Sequence, residues 1–260
     1  MVLPRTEHGD GPPVFLLHAG IANRQMWDEH LEPLAAGGYR VVALDLPGFG
    51  EARGGSAPIA HWDDVVETMD ALEIERAALV GNSFGGAVAL RVAALHPERV
   101  AALLLFSAPG VPEPDPSVEL LAAWDAEEDA LAAGDVERAV EATVSAWVGP
   151  HAPVEVRHRI ASMQRSNYEG RVGQEITFAP DLLETDPGLL KHVSCPALLA
   201  VGEDDLPDYR AAVSDLAEKL PQATSTASIP RCGHLAPLEA PEEFRRLVVE
   251  YLAAEAIPAE

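Results

Sequence analysis

The chain has 260 residues, 48% of them apolar, which suffices for the core of one large α/β domain or two small ones. Its 18 basic side chains against 42 acidic ones leave a formal charge of −24, which argues against nucleic acid and anionic membranes as partners, since both attract a positive surface. The acidity itself is read as serving solubility.

In chain order, residues 1–13 are polar and rich in Gly and Pro and read as a lead-in. Val14 to Leu17 is a continuous apolar run, the pattern of a strand buried on both faces. It ends in the loop His18-Ala19-Gly20-Ile21-Ala22-Asn23. Met26 to Ala36 reads as a helix closed by Gly37-Gly38, and Tyr39 to Leu46 as a second buried strand ended by Pro47-Gly48-Phe49-Gly50. A polar, glycine-rich loop reaches Pro58, and His61 to Leu72 is helical, with Val65, Val66, Met69 and Leu72 on one side. Ala77 to Val80 is a third apolar run, followed by Gly81-Asn82-Ser83-Phe84-Gly85-Gly86 and a helical pattern that stops at Leu95 before His96-Pro97. Val100 to Phe106 is a fourth strand. Buried strands alternating with helices call for parallel pairing and right-handed crossovers.

The alternation then breaks. Residues 111–116 form a Pro-rich linker, and 117 to about 187 show helical periodicity without an obvious strand. Leu120, Leu121 and Trp124, then Val136, Val140, Val144 and Trp147, form stripes at helical spacing; Arg157 to Tyr168 reads as a further helix. Trp124, Trp147, Met163 and Tyr168 face either the core of this segment or a ligand, and burial is the expectation for most. Pro196 to Val201 resumes the sheet and ends at Gly202-Glu203-Asp204-Asp205-Leu206-Pro207-Asp208. Tyr209 to Leu220 is helical, Ser225 to Ile229 is a short last strand followed by Cys232-Gly233-His234-Leu235, and Pro241 to Ala254 closes the chain as a helix with proline in its first turn. The expected organisation is an α/β core of residues 1–110 and 188–260, a mostly parallel sheet flanked by helices, with an inserted all-helical cap at 111–187. An insertion between two parallel strands projects from the end of the sheet that carries functional loops, so it reads as a lid.

No stretch is long and apolar enough to span a bilayer, and the N-terminal residues lack the basic-then-apolar order of a signal peptide, so a cytoplasmic protein is expected. Two cysteines do not make a disulfide framework. The strand assignment puts Cys195 and Cys232 at opposite ends of the sheet, roughly 15 Å or more apart at ~3.3 Å per residue, beyond the reach of a disulfide. The nine histidines are scattered and show no metal-ligand spacing, and no cofactor motif is present.

The Gly-x-Ser-x-Gly pattern at Gly81–Gly85 lies between an apolar strand and a helix, the context in which a serine sits in strained backbone with its hydroxyl pushed out at the end of a sheet. The two glycines are needed where strand and helix nearly touch. The start of the following helix aims N–H groups and a positive dipole end at the space above Ser83, which favours a developing oxyanion. Carboxylates after the penultimate strand and a histidine after the last complete the order Ser, Asp, His, one of three unrelated orders known for a nucleophilic triad.

With these motifs the sequence resembles the α/β-hydrolase fold superfamily, from Val14 to the C-terminal helix. The resemblance rests on His18-Ala19-Gly20, Asp45 to Gly50, Gly81 to Gly85, Gly202 to Asp205 and Gly233-His234. It implies Ser83 as nucleophile, His234 as base and Asp205 as acid. Asp204 is the rival acid, and Asp208 reads as a cap of the following helix. The backbone N–H groups of Phe84 and Gly20, with Ile21 as fallback for the latter, would form the oxyanion hole. His18 reads as structural, and Asp45 and Pro47 as shaping a turn. Dehalogenases and epoxide hydrolases of the superfamily carry aspartate at the elbow, which Ser83 is not. The leading expectation is hydrolysis of a small carboxylic ester. A lactonase resembling the enol-lactone hydrolases comes second. A carbon–carbon bond hydrolase comes third, because Gly81-Asn82-Ser83 matches that group's elbow while Leu235 replaces its usual tryptophan. A non-enzymatic ligand receptor on the same fold is the remaining alternative.

Overall fold

The computed structural model describes residues 1–52, 58–171 and 177–255. One sheet of seven strands organises them: β1 (Arg5–His8), β2 (Pro13–Leu17), β3 (Arg40–Leu44), β4 (Ala77–Asn82), β5 (Val100–Phe106), β6 (Ala197–Gly202) and β7 (Ala223–Ile229), in the order β1-β3-β2-β4-β5-β6-β7. All pairings are parallel except that of β1 with β3. The helices are α1 (Asp28–Ala36), α2 (His61–Ala71), α3 (Phe84–Leu95), α4 (Val118–Ala132), α5 (Val136–Trp147), α6 (Val154–Arg171), α7 (Leu182–Thr185), α8 (Pro207–Lys219), α9 (Ala236–Glu239) and α10 (Pro241–Ala254).

The apolar runs read as strands are buried on both faces, and alternate residues feed two cores. From β5, Leu104 and Phe106 pack with Trp27, Leu31, Phe244 and Val248 under α1 and α10. Leu103 and Leu105 of the same strand pack with Val65, Met69, Val92 and Leu216 under α2, α3 and α8.

Three expectations need correction. The lead-in contains β1, a polar strand of alternating exposure whose register runs Arg5 against Leu44 to His8 against Val41. As an antiparallel edge strand it pairs on one side only and carries no apolar run to announce it. The helix expected from Met26 begins instead with a 3₁₀ turn, Arg24–Trp27, capped by the Asn23 side chain, and turns α-helical at Asp28. Asp208 does not cap α8, whose N-cap is Leu206; its carboxylate accepts from the Ser117 N–H (2.8 Å) and hydroxyl (2.5 Å), fastening the start of α4 to α8. Of the glycine-rich loop expected to Pro58, residues 53–57 lie outside the described residues.

Helices α4 to α6 share a small apolar cluster of Ala130, Ala139, Val140 and Tyr168, and send Leu120, Trp147, Ile160 and Met163 into the core that holds Leu104 and Phe106. They lie against the loops that leave the C-terminal ends of the strands. Asn167 of α6 donates to the Ala22 carbonyl (2.9 Å) and accepts from the Gly50 N–H (3.3 Å), and the Trp147 carbonyl ending α5 accepts from the His234 N–H (3.3 Å). The chain runs from β2 outward to β3, then crosses back to β4 on the other side of β2. Such a reversal opens a crevice beyond the carboxyl ends of those two strands.

Candidate active site

Ser83 stands at that crevice, between the last residue of β4 and the first of α3. Its backbone angles are φ 53° and ψ −117°, a conformation that costs an L-residue about 1–3 kcal/mol. The surroundings hold it there: Ser83 N–H donates to the Phe106 carbonyl (2.8 Å) and its own carbonyl starts α3 by accepting from Ala87 N–H (2.9 Å). The neighbouring glycines are steric necessities. A Cβ on Gly81 would overlap the Gly85 backbone, one on Gly85 would overlap the Leu17 carbonyl, and one on Gly86 would come within 2.9 Å of Ala108 Cβ.

Ser83 Oγ lies 2.6 Å from His234 Nε2. On the other side of the ring, Nδ1 lies 2.9 and 3.1 Å from the two carboxylate oxygens of Asp205, and both side chains are almost wholly buried. Asp204 points elsewhere, half-exposed, toward His151 at 3.7 Å. The Asp205 carboxylate also accepts from Leu206 N–H at 2.7 Å. Gly202 at the end of β6 lets the histidine loop approach, since a Cβ there would overlap the Cys232 and Gly233 carbonyls.

Two residues hold this loop in a role that the sequence did not assign to them. Asn82 Nδ2 donates to the His234 carbonyl and to the Phe106 carbonyl, both at 3.0 Å. The Glu239 carboxylate accepts from Gly149, Gly233 and Leu235 N–H groups at 2.9, 3.0 and 3.0 Å, and so braces both sides of His234. Their partners are backbone groups brought together by three separate loops, which no spacing rule in the sequence reports.

The loop after β2 lies across from the elbow. A Cβ on Gly20 would sit 3.5 Å from Phe84 Cβ, so the loop passes close to the residue that follows Ser83. Ala22 N–H is turned back onto the Ala19 carbonyl (3.0 Å). The N–H of Phe84, first in α3, has no acceptor within the helix, as for every first turn. His18 is a buried structural residue. Its Nδ1 donates to the Ala19 carbonyl (2.8 Å), which leaves Nε2 to accept from Leu46 N–H (3.0 Å), and burial lowers its pKa to about 4. Asp45 shapes its turn, as expected, by taking the Arg24 guanidinium and the Arg24 and Glu51 N–H groups, each of the latter at 2.8 Å.

Aromatic rings enclose His234. The Trp147 ring centroid lies 4.7 Å from it and that of Tyr209 4.3 Å, edge-on. Tyr209 is half-buried beside Ser83, and the burial of its hydroxyl with the nearby Asp205 charge raises its phenol above the ordinary range. Of the aromatic and thioether residues left open above, Met163 and Tyr168 are buried among the helices. Trp147 is buried against His234, and Trp124, 41% exposed, lines the cavities at Ser83. Cys195 and Cys232 are both free and buried; burial pushes the Cys195 thiol up to about 11 and raises Cys232 further, so neither offers a thiolate near neutral pH. Among the described residues no three His, Cys, Asp or Glu side chains converge as a metal site, and no helix is long and apolar enough to cross a membrane.

A family model of the alpha/beta hydrolase fold matches residues 12–241. The chain belongs to the α/β-hydrolase fold family. Among its relatives in this family is the 2-hydroxy-6-oxo-6-(2'-aminophenyl)hexa-2,4-dienoic acid hydrolase of Metapseudomonas resinovorans, 28% identical over 96% of this chain and 87% of that protein. A thermophilic esterase from Thermogutta terrifontis superposes with a TM-score of 0.80 at 29% identity, covering 97% of this chain and 93% of that one. The enol-lactonase from Burkholderia xenovorans LB400 shares the fold, with a TM-score of 0.75 at 23% identity over 96% of each chain. The α/β-hydrolase fold thus accounts for the sheet order and for the position of Ser83 at its switch point.

Proposed function

We propose that the chain is a serine hydrolase that cleaves a small carboxylic ester through an acyl-enzyme. The observation that carries this reading is the 2.6 Å approach of Ser83 Oγ to His234 Nε2, on a strained turn at the N-terminus of α3. A neutral serine is a weak nucleophile and needs a base within hydrogen-bond reach. Asp205 accepts the Nδ1 proton of His234, which leaves the Nε2 lone pair facing Ser83 and later offsets the imidazolium charge.

In the proposed sequence, Ser83 Oγ bonds to the ester carbonyl carbon while His234 takes its proton. The tetrahedral oxyanion accepts from the N–H groups of Phe84 and Gly20. The bond to the alcohol oxygen breaks as His234 returns the proton to that oxygen. Water, deprotonated by His234, then releases the acid and restores Ser83. Residues 111–187 act as a cap over the site, with residues 1–110 and 188–260 as the catalytic core, and α4 to α6 exclude water from the reaction.

A carbon–carbon bond hydrolase is the second reading, favoured by the Metapseudomonas relative and by Asn82 before the nucleophile. A lactonase uses the same groups on a cyclic ester. Hydrolysis of p-nitrophenyl esters from acetate to octanoate, beside a lactone panel, tests the three, with Ser83→Ala as control. Ester turnover that falls by about 10⁴-fold or more in Ser83→Ala at unchanged Tm is expected. Near-wild-type turnover in that variant overturns the mechanism. Lactone turnover without ester turnover selects the lactonase, and silence on both leaves carbon–carbon cleavage or a receptor that binds without turnover.

A further inference from the structure

Ser83 stands where two cavities meet. One, of about 180 Å³, runs past Phe84, Ala87, Pro109 and Leu120. The other, of about 200 Å³, holds Gly20, His234, Gln164, Arg171 and Glu127. Trp124 and Tyr209 border both. The two differ in chemistry: the first is mostly apolar around the nucleophile, with the carboxylates of Glu113 and Asp208 on its wall and no cation, whereas the second brings a cation to it.

That cation is fixed in place. Arg171, the last residue of α6, donates from Nε to the Gly48 carbonyl (3.0 Å), and its guanidinium carbon lies 4.2 Å over the Phe49 ring. Phe49 packs in turn on Phe84, the residue after the nucleophile, with centroids 5.6 Å apart. Among the described residues, no carboxylate forms an ion pair with Arg171 and its terminal nitrogens have no hydrogen-bond partner, in a chain with 42 acidic side chains. Glu127, on the same wall, accepts instead from the Tyr168 hydroxyl at 2.6 Å. Burial holds the Arg171 guanidinium below its ordinary range, the signature of a cation that has lost water without gaining a full partner. A planar fork of open N–H donors is the geometry that takes a carboxylate with two bonds.

The direction of the reaction says which half of the substrate meets it. His234 must pass its proton to the leaving oxygen, so the leaving group lies on the side of His234, in the second cavity. We propose that Arg171 binds a carboxylate on the alcohol half of the ester, so that the substrates are O-acylated hydroxy acids whose apolar acyl group fills the first cavity. This rests on the ester-hydrolase reading above. The first cavity is slightly larger than the ~150 Å³ that accommodates benzene, which sets an acyl group of about that size.

The test compares 4-carboxyphenyl butyrate with its neutral isostere, 4-carbamoylphenyl butyrate. The ratio of kcat/KM, acid over amide, is expected to exceed one and to fall roughly 10- to 100-fold in Arg171→Met, the worth of a charge-assisted pair. It should be partly restored in Arg171→Lys and raised in Glu127→Gln. Arg246→Met, which removes a surface guanidinium paired with Glu243 and Glu250, should leave the ratio unchanged. A ratio below one, or the same ratio in the Arg171 and Arg246 variants, overturns the proposal. An Arg171-dependent advantage for p-nitrophenyl hemisuccinate over p-nitrophenyl butyrate, which puts the acid on the acyl half, overturns the assignment of halves. Should no ester of any kind be hydrolysed, the ester reading itself has failed. Titration calorimetry of 4-hydroxybenzoate against the wild type and Arg171→Met then decides the site alone: binding lost in the variant supports it, and equal or no binding in both overturns it.

Discussion

In β2 to β6 the apolar side chains are sealed on both faces of the sheet, whereas in the helices laid over it large apolar residues remain open to solvent: Val118 (79% exposed), Leu121, Trp124 and Leu131 on α4, and Val154 on α6. The sheet is held by burial, at about 25 cal/mol per Å² of apolar surface. The overlying helices send only a few apolar side chains, Leu120, Trp147, Ile160 and Met163, into the sheet's core, and polar fasteners orient them. Asp208 takes Ser117, Asn167 takes Ala22, Glu239 takes Gly149, and Arg91 of α3 takes Asp181 (2.6 Å) and Glu184 (2.9 Å) beside α7. Apolar burial is non-directional and tolerates drift, while a polar fastener fixes an orientation and fails when one partner is lost. The proposed site lies at the seam between the two regions: Ser83, Asp205 and His234 belong to strand ends of the sheet, and Trp124, Gln164 and Arg171 are supplied from above.

Each side of that seam can be broken separately. The largest effect is expected within the sheet-borne constellation. Asp205→Asn should lower kcat of a hydrolysed ester by about 10⁴-fold, because the amide no longer fixes the tautomer of His234, while Asp204→Asn stays within about tenfold. The reverse outcome would move the acid by one residue. Next, Gly85→Ala should cost at least about 3 kcal/mol in denaturant unfolding, since the new methyl overlaps the rigid Leu17 carbonyl and neither strand nor helix can withdraw. A stable Gly85→Ala protein would mean that the elbow is looser than the close contact of β2 and α3 implies.

Arg91→Met probes the seam from the other side. It strands Asp181 and Glu184 together, with Glu113 nearby, and should cost about 3 kcal/mol. Limited proteolysis should then cut the region between α6 and β6 before the sheet, and simultaneous cleavage throughout would show that the two regions unfold as one. A further expected effect is a pH dependence carried by buried histidines. His18, His30 and His61 are buried and neutral, with pKa values lowered by burial to about 4. Below the ordinary value of 6.5 the unfolded chain takes up protons that the folded chain refuses, so stability falls as pH drops from about 6.5 toward 4, by at most about 1.4 kcal/mol per unit for each histidine. The Tm at pH 5 should lie several degrees below that at pH 7, and a flat Tm would show that these rings gain protons inside the fold.

The strands buried on both faces were legible because a long apolar run between glycines or prolines admits few other placements. The elbow was legible for a related reason: Gly81 is dictated by its contact with Gly85, four residues on, although Gly85 itself answers to the Leu17 and His18 carbonyls and Gly86 to Ala108. β1 was not legible, since an edge strand of Arg-Thr-Glu-His shows no apolar period and owes its existence to the free edge of β3. Asp208 followed local capping logic on paper and was drawn instead to Ser117, 91 residues away, because a carboxylate at a helix start has more than one donor in reach once the chain is folded. Glu239 gave no signal, since a carboxylate that binds three backbone N–H groups is specified by the loops around it.

The sequence by itself determined the family, the parallel sheet and the order in which serine, carboxylate and histidine follow its strands, because these depend on periodicity and on residues next to strand ends. Tertiary structure alone decided that Asp205 rather than Asp204 faces His234, that Asn82 and Glu239 hold the histidine loop, and that Arg171 reaches the cavity of Ser83. Those outcomes turn on which way neighbouring side chains point and on groups more than 80 residues apart, and a polar contact, being directional, is settled only when both partners are in place.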